Sequence, residues 1–254
     1  MHHTTREIRL ATALVEAADT LSDGFDTEDY LRRLANHCVD LLAAQAVGVM
    51  LIDGGRTVSL TGSSAHEQMA LDLLQAQHSG GPCLDTYSSG KPVPPVSIRT
   101  ARAASRWPEF TERALRHDVV TTFAVPLRRR ERPFGALNVF VPTLVASAPP
   151  DGDPELLLAQ LIADSAAVGL QNNARYHRCR TLAGQLQEAL SSRVRIEQAK
   201  GMLAERWQTR ADEAFIALRQ YARRRRLPLD RVATAVIQRT SDDAELRREF
   251  DGTA

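Results

Sequence analysis

The 254-residue chain reads as α+β: an antiparallel sheet flanked by helices, then a long coiled-coil linker helix, then a C-terminal bundle of three helices. Three observations predict it. The β-rich runs 46–52, 56–61, 121–127 and 134–141 come in adjacent pairs joined by turns, which is the signature of hairpins. From Pro154 no proline appears until Pro228, leaving a long stretch free to be helical. The net charge of +1 conceals a strong segregation of sign. Residues 1–174 carry 15 basic and 20 acidic groups (−5), residues 175–239 carry 15 and 6 (+9), and residues 240–254 carry 2 and 5 (−3).

Taken in order, residues 6–21 and 27–43 are amphipathic helices, marked by Ile8, Ala11, Leu14, Val15 and Ala18, then by Tyr30, Leu31, Leu34, Cys38, Leu41 and Leu42. Residues 46–52 form a buried strand, Asp53-Gly54-Gly55 the turn, and 56–61 its partner. Residues 66–77 are helical with Met69, Leu73 and Leu74 inward, and Gly80-Gly81-Pro82 breaks the chain. A short helical stretch from Cys83, an extended segment 92–98 and a helix 107–117 follow. Strands 121–127 and 134–141 flank the charged turn 128–133, and the Pro-rich loop 142–153 marks the edge of the domain at 152.

From residue 154, positions Leu158, Leu161, Ser165, Val168, Asn172, Arg175, Cys179, Leu182, Leu186 and Ala189 alternate three- and four-residue steps, a heptad seam centred on a linker 153–181. Asn172 at a seam position favours two strands in register, so a homodimer is expected. A helix from 154 to 206 would span roughly 80 Å at 1.5 Å per residue. Gly169 and Gly184 each cost it about 1 kcal/mol relative to alanine, so continuity stays open, as does the alternative of two helices packed on their own domains.

Residues 182–240 hold the basic bundle, and 241–254 an acidic tail. Leu182, Leu186, Ala189, Leu190, Ile196 and Leu203 line one helix, closed by Trp207-Gln208. Thr209 is placed to cap a second helix, with Asp212 in its first turn and Ala214, Phe215, Leu218, Tyr221 and Ala222 inward. Pro228 suits the first turn of a third, with Leu229, Val232, Ala233 and Val236 inward. A basic module beside an acidic domain is the footprint of polyanion binding.

Lys200 is one of two lysines against thirty arginines, and it precedes Gly201, which would let a phosphate or another backbone approach. The alternative is a solvated lysine at a helix-packing notch. Arg193, Arg206, Arg219 and Arg223 are the other basic candidates; Arg193 and Lys200 are seven apart and so close to one face. Tyr221 could stack on a base or belong to the core.

The runs SRVRIEQAKGMLAER (192–206), DEAFIALRQYAR (212–223) and LPLDRVATAV (227–236) resemble the ANTAR family of RNA-binding output domains of bacterial transcription antiterminators. Family members often carry a polar residue such as Asn before the third helix, where this chain has the arginine run 223–226. The resemblance implies contact with paired stem-loops in nascent transcripts through Arg193, Gln198, Lys200, Gly201, Arg206, Arg219 and Arg223. LRRLANHCVDLLAAQAVGVMLID, LLQAQHSGGPCLDTYSSGKPV, WPEF and AVPLRRRERPFGALNVF resemble a GAF domain, the cytosolic sensor fold, as in actinobacterial GAF–ANTAR regulators. That implies an unidentified small-molecule ligand, since the fold alone names none.

No P-loop, nucleophile elbow, kinase signature or paired-carboxylate motif stands out, so no enzyme, cofactor or catalytic residue is expected. Cys83 resembles a bilin-attachment position of light-sensing GAF relatives, but Leu84 follows where those carry His, and a structural cysteine is the expectation. Cys38, Cys83 and Cys179 lack CxxC or His-Cys spacing, arguing against zinc and for a reducing cytoplasm. No apolar run reaches about 18 residues, and the N-terminus lacks a signal-peptide core, so no membrane is expected. A DNA-binding regulator and a protein-interaction adaptor remain the alternatives to RNA binding.

Overall fold

The computed structural model describes residues 2–22, 24–144, 153–241 and 243–251. It is α+β and divides into two compact units, Met1–Tyr176 and His177–Ala254. The expected loop 142–153 falls largely outside the described residues, which resume at Asp153.

The first unit is built on a five-stranded, wholly antiparallel sheet, in the order β2 (Arg56–Gly62), β1 (Ala46–Asp53), β5 (Arg132–Val141), β4 (Thr121–Arg129), β3 (Val93–Ser97). The three central strands are buried on both faces, which is why they read as unbroken apolar runs rather than alternating ones. Val47 and Val49, Phe123, Val125 and Leu127, and Leu137, Val139 and Val141 point to one side. There they meet α1 (His2–Ala18), α2 (Thr27–Leu42) and the start of α7 (Pro154–Trp207). Ala46, Ala124 and Phe140 point to the other side, onto α3 (Glu67–Gln75) and α6 (Pro108–Arg116), with Met50, Ile52 and Ala136 beside α4 (Pro82–Ser89). Gly54 and Gly55 both take positive φ (56° and 81°) in the β1–β2 turn, a conformation that favours glycine.

Most expected elements form within a few residues of their expected ends. Three differ. A sixth helix of this unit, α5 (Ala101–Arg106), is capped by Thr100, whose hydroxyl accepts from the amide of Ala103 at 3.3 Å. Strands β4 and β5 continue through the charged segment to a two-residue turn at Arg130-Glu131, with Arg130 at φ 58°. The unit also does not stop at 152: Ala159, Ile162, Ala163, Ala166 and Ala167 of α7 are buried in its core.

That packing explains Gly169. A Cβ there would run into the carbonyl oxygen of Ala17 and lie 2.6 Å from the Tyr30 hydroxyl. Thr20 Oγ1 donates to Gly169 O at 3.0 Å and Asn173 Nδ2 donates to Thr20 O at 2.6 Å. Leu158, placed on the heptad seam from sequence, instead packs partly buried against this core; the exposed leucines of this segment are Leu157 and Leu161, with Val168 beyond.

Candidate nucleic-acid interface

The second unit takes its first helix from the later part of α7, followed by α8 (Ala211–Arg225), α9 (Leu229–Ile237) and α10 (Asp243–Asp251). Ala199, Leu203, Trp207, Ala214, Ala217, Leu218, Ala222, Val232, Ala233 and Val236 are its core, and Leu246 of α10 joins them fully buried. Tyr221 packs partly buried against this core. To this core α7 contributes Ala199, Leu203 and Trp207, and α8 contributes Ala214, Ala217, Leu218 and Ala222.

Local signals set each end. Gln208, at φ 54°, ends α7. The cap of α8 is Arg210, one residue later than Thr209. The Glu213 carboxylate turns back to accept from the Arg210 amide (3.3 Å) and from the Thr209 hydroxyl. The Thr209 hydroxyl, then that amide, hold the Glu213 carboxyl below its ordinary pKa range. Pro228 precedes α9 rather than opening it, its carbonyl accepting from Arg231 N and Val232 N. The acidic tail 241–254 carries a helix, α10, that docks on α8 through Leu246 and through Glu245, which accepts from Arg225 and, at 3.4 Å, from Arg224.

The expected contact residues fall into separate groups. Arg193 and Gln198 are exposed and, with Leu190, Val194 and Glu197, line a shallow groove of about 470 Å³ on α7. Lys200 is only 21 % exposed and pairs with Glu197 at 2.6 Å. Gly201 is exposed, and a Cβ there would meet nothing within 4 Å, so this unit supplies no packing reason for the glycine. Arg206 is exposed but lies about a third of a turn round the helix from Lys200, since six residues at 100° each make 600°. Arg219 and Arg223 lie one turn apart on the outer side of α8. Two further arginines belong to this unit: Arg195, which sequence reasoning did not single out, is half-buried in an ion pair with Asp230 at 2.7 Å, and Arg226, the last of the arginine run, is exposed at the left-handed cap of α8.

In the first unit, the side of the sheet facing α3–α6 is filled by Trp107, Phe110 and Phe140. Beside them lies a buried polar group. Gln77 Oε1 accepts from the Cys83 amide at 2.7 Å, and Asn138 Oδ1 accepts from Thr122 Oγ1 at 2.8 Å, while Asn138 Nδ2 has no partner. Burial pushes the Cys83 thiol up to about 12; Cys38, fully buried, is pushed up to about 12 likewise. Cys179 is exposed. Among the described residues no cluster of three His, Cys, Asp or Glu is arranged to hold a metal ion, and no helix is long and apolar enough to cross a membrane.

Residues 26–171 match the GAF domain family, and residues 184–237 match the ANTAR domain. The chain is a GAF–ANTAR protein. GAF domains are signal-sensing and ANTAR domains are RNA-binding antitermination modules, and both are regulatory rather than catalytic families. The ANTAR match ends at Ile237, so α10 lies beyond it. No curated protein matches the GAF–ANTAR chain. Similar solved structures include the GAF domain of A. aeolicus nlh2 in an inactive state, at 11 % identity over 65 % of this chain and 98 % of that one, with a TM-score of 0.45. The chromophore-binding domain of a bacteriophytochrome from R. palustris gives 10 % over 69 % and 63 %, TM-score 0.48. A free methionine-R-sulfoxide reductase from Neisseria meningitidis gives 14 % over 69 % and 93 %, TM-score 0.47.

Proposed function

We propose that this GAF–ANTAR protein is a signal-responsive antitermination regulator whose second unit binds paired hairpins in nascent mRNA. The observation that carries the reading is electrostatic. Residues 175–239 hold a net +9, and Arg193, Arg219, Arg223 and Arg226 stand exposed with no ion pair among the described residues. Phosphates held by such groups fix the position of a hairpin, and its unpaired loop bases supply the specificity. The paired hairpins would then hold the transcript in a form that prevents a terminator.

The protein works as a homodimer in this reading. Leu182, Leu186, Leu190 and Val194 follow one another every four residues on α7, each more than half exposed, a stripe that water would not favour leaving open. In the first unit Leu157, Leu161 and Val168 of the same helix are exposed likewise. A parallel second copy with Asn172 in register would cover both sets and present two RNA-binding modules to two hairpins. The sensor half acts by binding a small molecule rather than by chemistry, since its two thiols are buried and held protonated. The module 182–240 is then the RNA-binding part, and the first unit reads the signal.

Hairpin binding measured against salt with the full chain tests the reading on the α7 face. Lys200→Ala should weaken binding and flatten the plot of log K against log salt by about 0.7–0.9, one phosphate contact. Its folding stability should fall by no more than about 1 kcal/mol, because the half-buried Lys200 gives up one ion pair with Glu197. Unchanged affinity in that variant would remove Lys200 from the interface.

A further inference from the structure

The arginine run 223–226 looks uniform in sequence, but the fold divides it. Arg224 and Arg225 turn toward α10, where Glu245, only 15 % exposed, takes both; Arg225 also lies 6.0 Å from the Tyr221 ring. Arg223 and Arg226 are exposed with no ion pair among the described residues, and so is Arg219 one turn earlier. Arg219 and Arg223 are spaced i, i+4, on one side of α8 about 6 Å apart along the axis, and Arg226 follows at the left-handed cap just beyond the last helical residue, Arg225.

We propose that Arg219, Arg223 and Arg226 form a track for the sugar-phosphate backbone of RNA, a second contact face beside that on α7, and that Glu245 keeps Arg224 and Arg225 out of it. This rests on the RNA-binding reading above. Arginine suits the task because its planar fork can give two parallel hydrogen bonds to one phosphate. Stabilisation of the helix C-terminus by basic residues accounts for arginines in the last turn, but not for Arg219, which lies six residues before the end of the helix. Asp212 shares this side of α8 seven residues before Arg219, so the track ends there and runs toward the C-terminal end of the helix. The carboxylate that α10 brings to Arg224 and Arg225 fills, inside the protein, the place a phosphate would take.

The test is a salt titration of a two-hairpin leader RNA bound to the full chain, with Arg219→Gln, Arg223→Gln, Arg226→Gln, Arg225→Gln and Arg223→Lys. Each of the three track variants should flatten the log–log slope by about 0.7–0.9, so that the loss of affinity between 50 and 200 mM salt shrinks about threefold. Arg225→Gln should leave the slope as in the wild type. Arg223→Lys should restore it, because the charge remains while a folding defect would not be rescued selectively. Unchanged slopes in the three track variants, with the wild type still binding in a salt-dependent way, overturn the track alone. A slope flattened as much by Arg225→Gln overturns the division of the run. A wild type that binds no RNA overturns the RNA reading itself, and the track with it.

Discussion

The two parts of α7 are made of similar residues and are used in opposite ways. In the first unit, Ala159, Ile162, Ala163, Ala166 and Ala167 are buried against α1, α2 and the sheet, and Gly169 is there because the backbone of α1 and the Tyr30 hydroxyl leave no room for a methyl group. In the second unit, Leu182, Leu186, Leu190 and Val194 are exposed, and neither Gly184 nor Gly201 would meet anything within 4 Å if it carried a Cβ. The buried face of the first part is accounted for by its own domain, though Leu157, Leu161 and Val168 remain exposed. The second keeps features that cost helix stability and solvation and that its own unit does not explain, which points to occupants outside the chain.

The two glycines separate these cases most sharply. Gly169→Ala should lose about 1–3 kcal/mol, the range for overpacking, and show it as a lower melting temperature of the first unit. Gly201→Ala should do the reverse, gaining about 1 kcal/mol through helix propensity while weakening hairpin RNA binding. A Gly201→Ala protein that is more stable and binds RNA as well as the wild type would leave that glycine without a role in contact.

Next in size is the apolar stripe. Leu182→Lys/Leu186→Lys should convert a dimer to a monomer by light scattering, while each exposed position changes folding by less than about 0.5 kcal/mol. A native chain that is monomeric at tens of micromolar, roughly the range of weak association, would break the dimer account. The smallest effect contrasts the thiols. A thiol-alkylating reagent near pH 8 should label Cys179 alone in the folded protein, because the Cys38 and Cys83 thiols are buried and pushed up to about 12. Cys83→Ser should leave RNA binding intact. Loss of regulation without loss of folding in that variant would revive a thiol-based sensor.

Much of this was legible in the sequence, and the parts that were not have physical reasons. The run 46–52 and the pair 121–127 and 134–141 were plain because strands buried on both faces need apolar residues at every position. The core of the basic bundle is read from three- and four-residue steps, and Leu203, Ala214, Leu218, Ala222, Val232 and Val236 are buried as that periodicity implies, whereas Leu182, Leu186, Ala189 and Leu190, read on the same face of the first helix, are exposed. Helix α10 escaped because, among its described side chains, only the apolar Leu246 enters the core, too little for a periodic signal. Leu158 was put on the seam because periodicity cannot tell a face turned to its own domain from one turned to a partner; only the packing places Leu157 outside and Leu158 against the core. The candidate site was legible in residue type but not in grouping. Nothing in four consecutive arginines reveals that Glu245, twenty residues away, takes the middle two.

The central claim, that the second unit recognises hairpin RNA, is tested most directly by competition at one fixed salt concentration between a two-hairpin leader RNA and duplex DNA of equal length for the full chain. The account predicts that the hairpin RNA displaces the duplex and that its binding weakens steeply as salt rises, because exposed arginines hold phosphates while loop bases supply the preference. Equal or tighter binding of the duplex would make the protein a DNA-binding regulator, and salt-insensitive binding of neither would make the unit a protein-interaction module; either result contradicts the account.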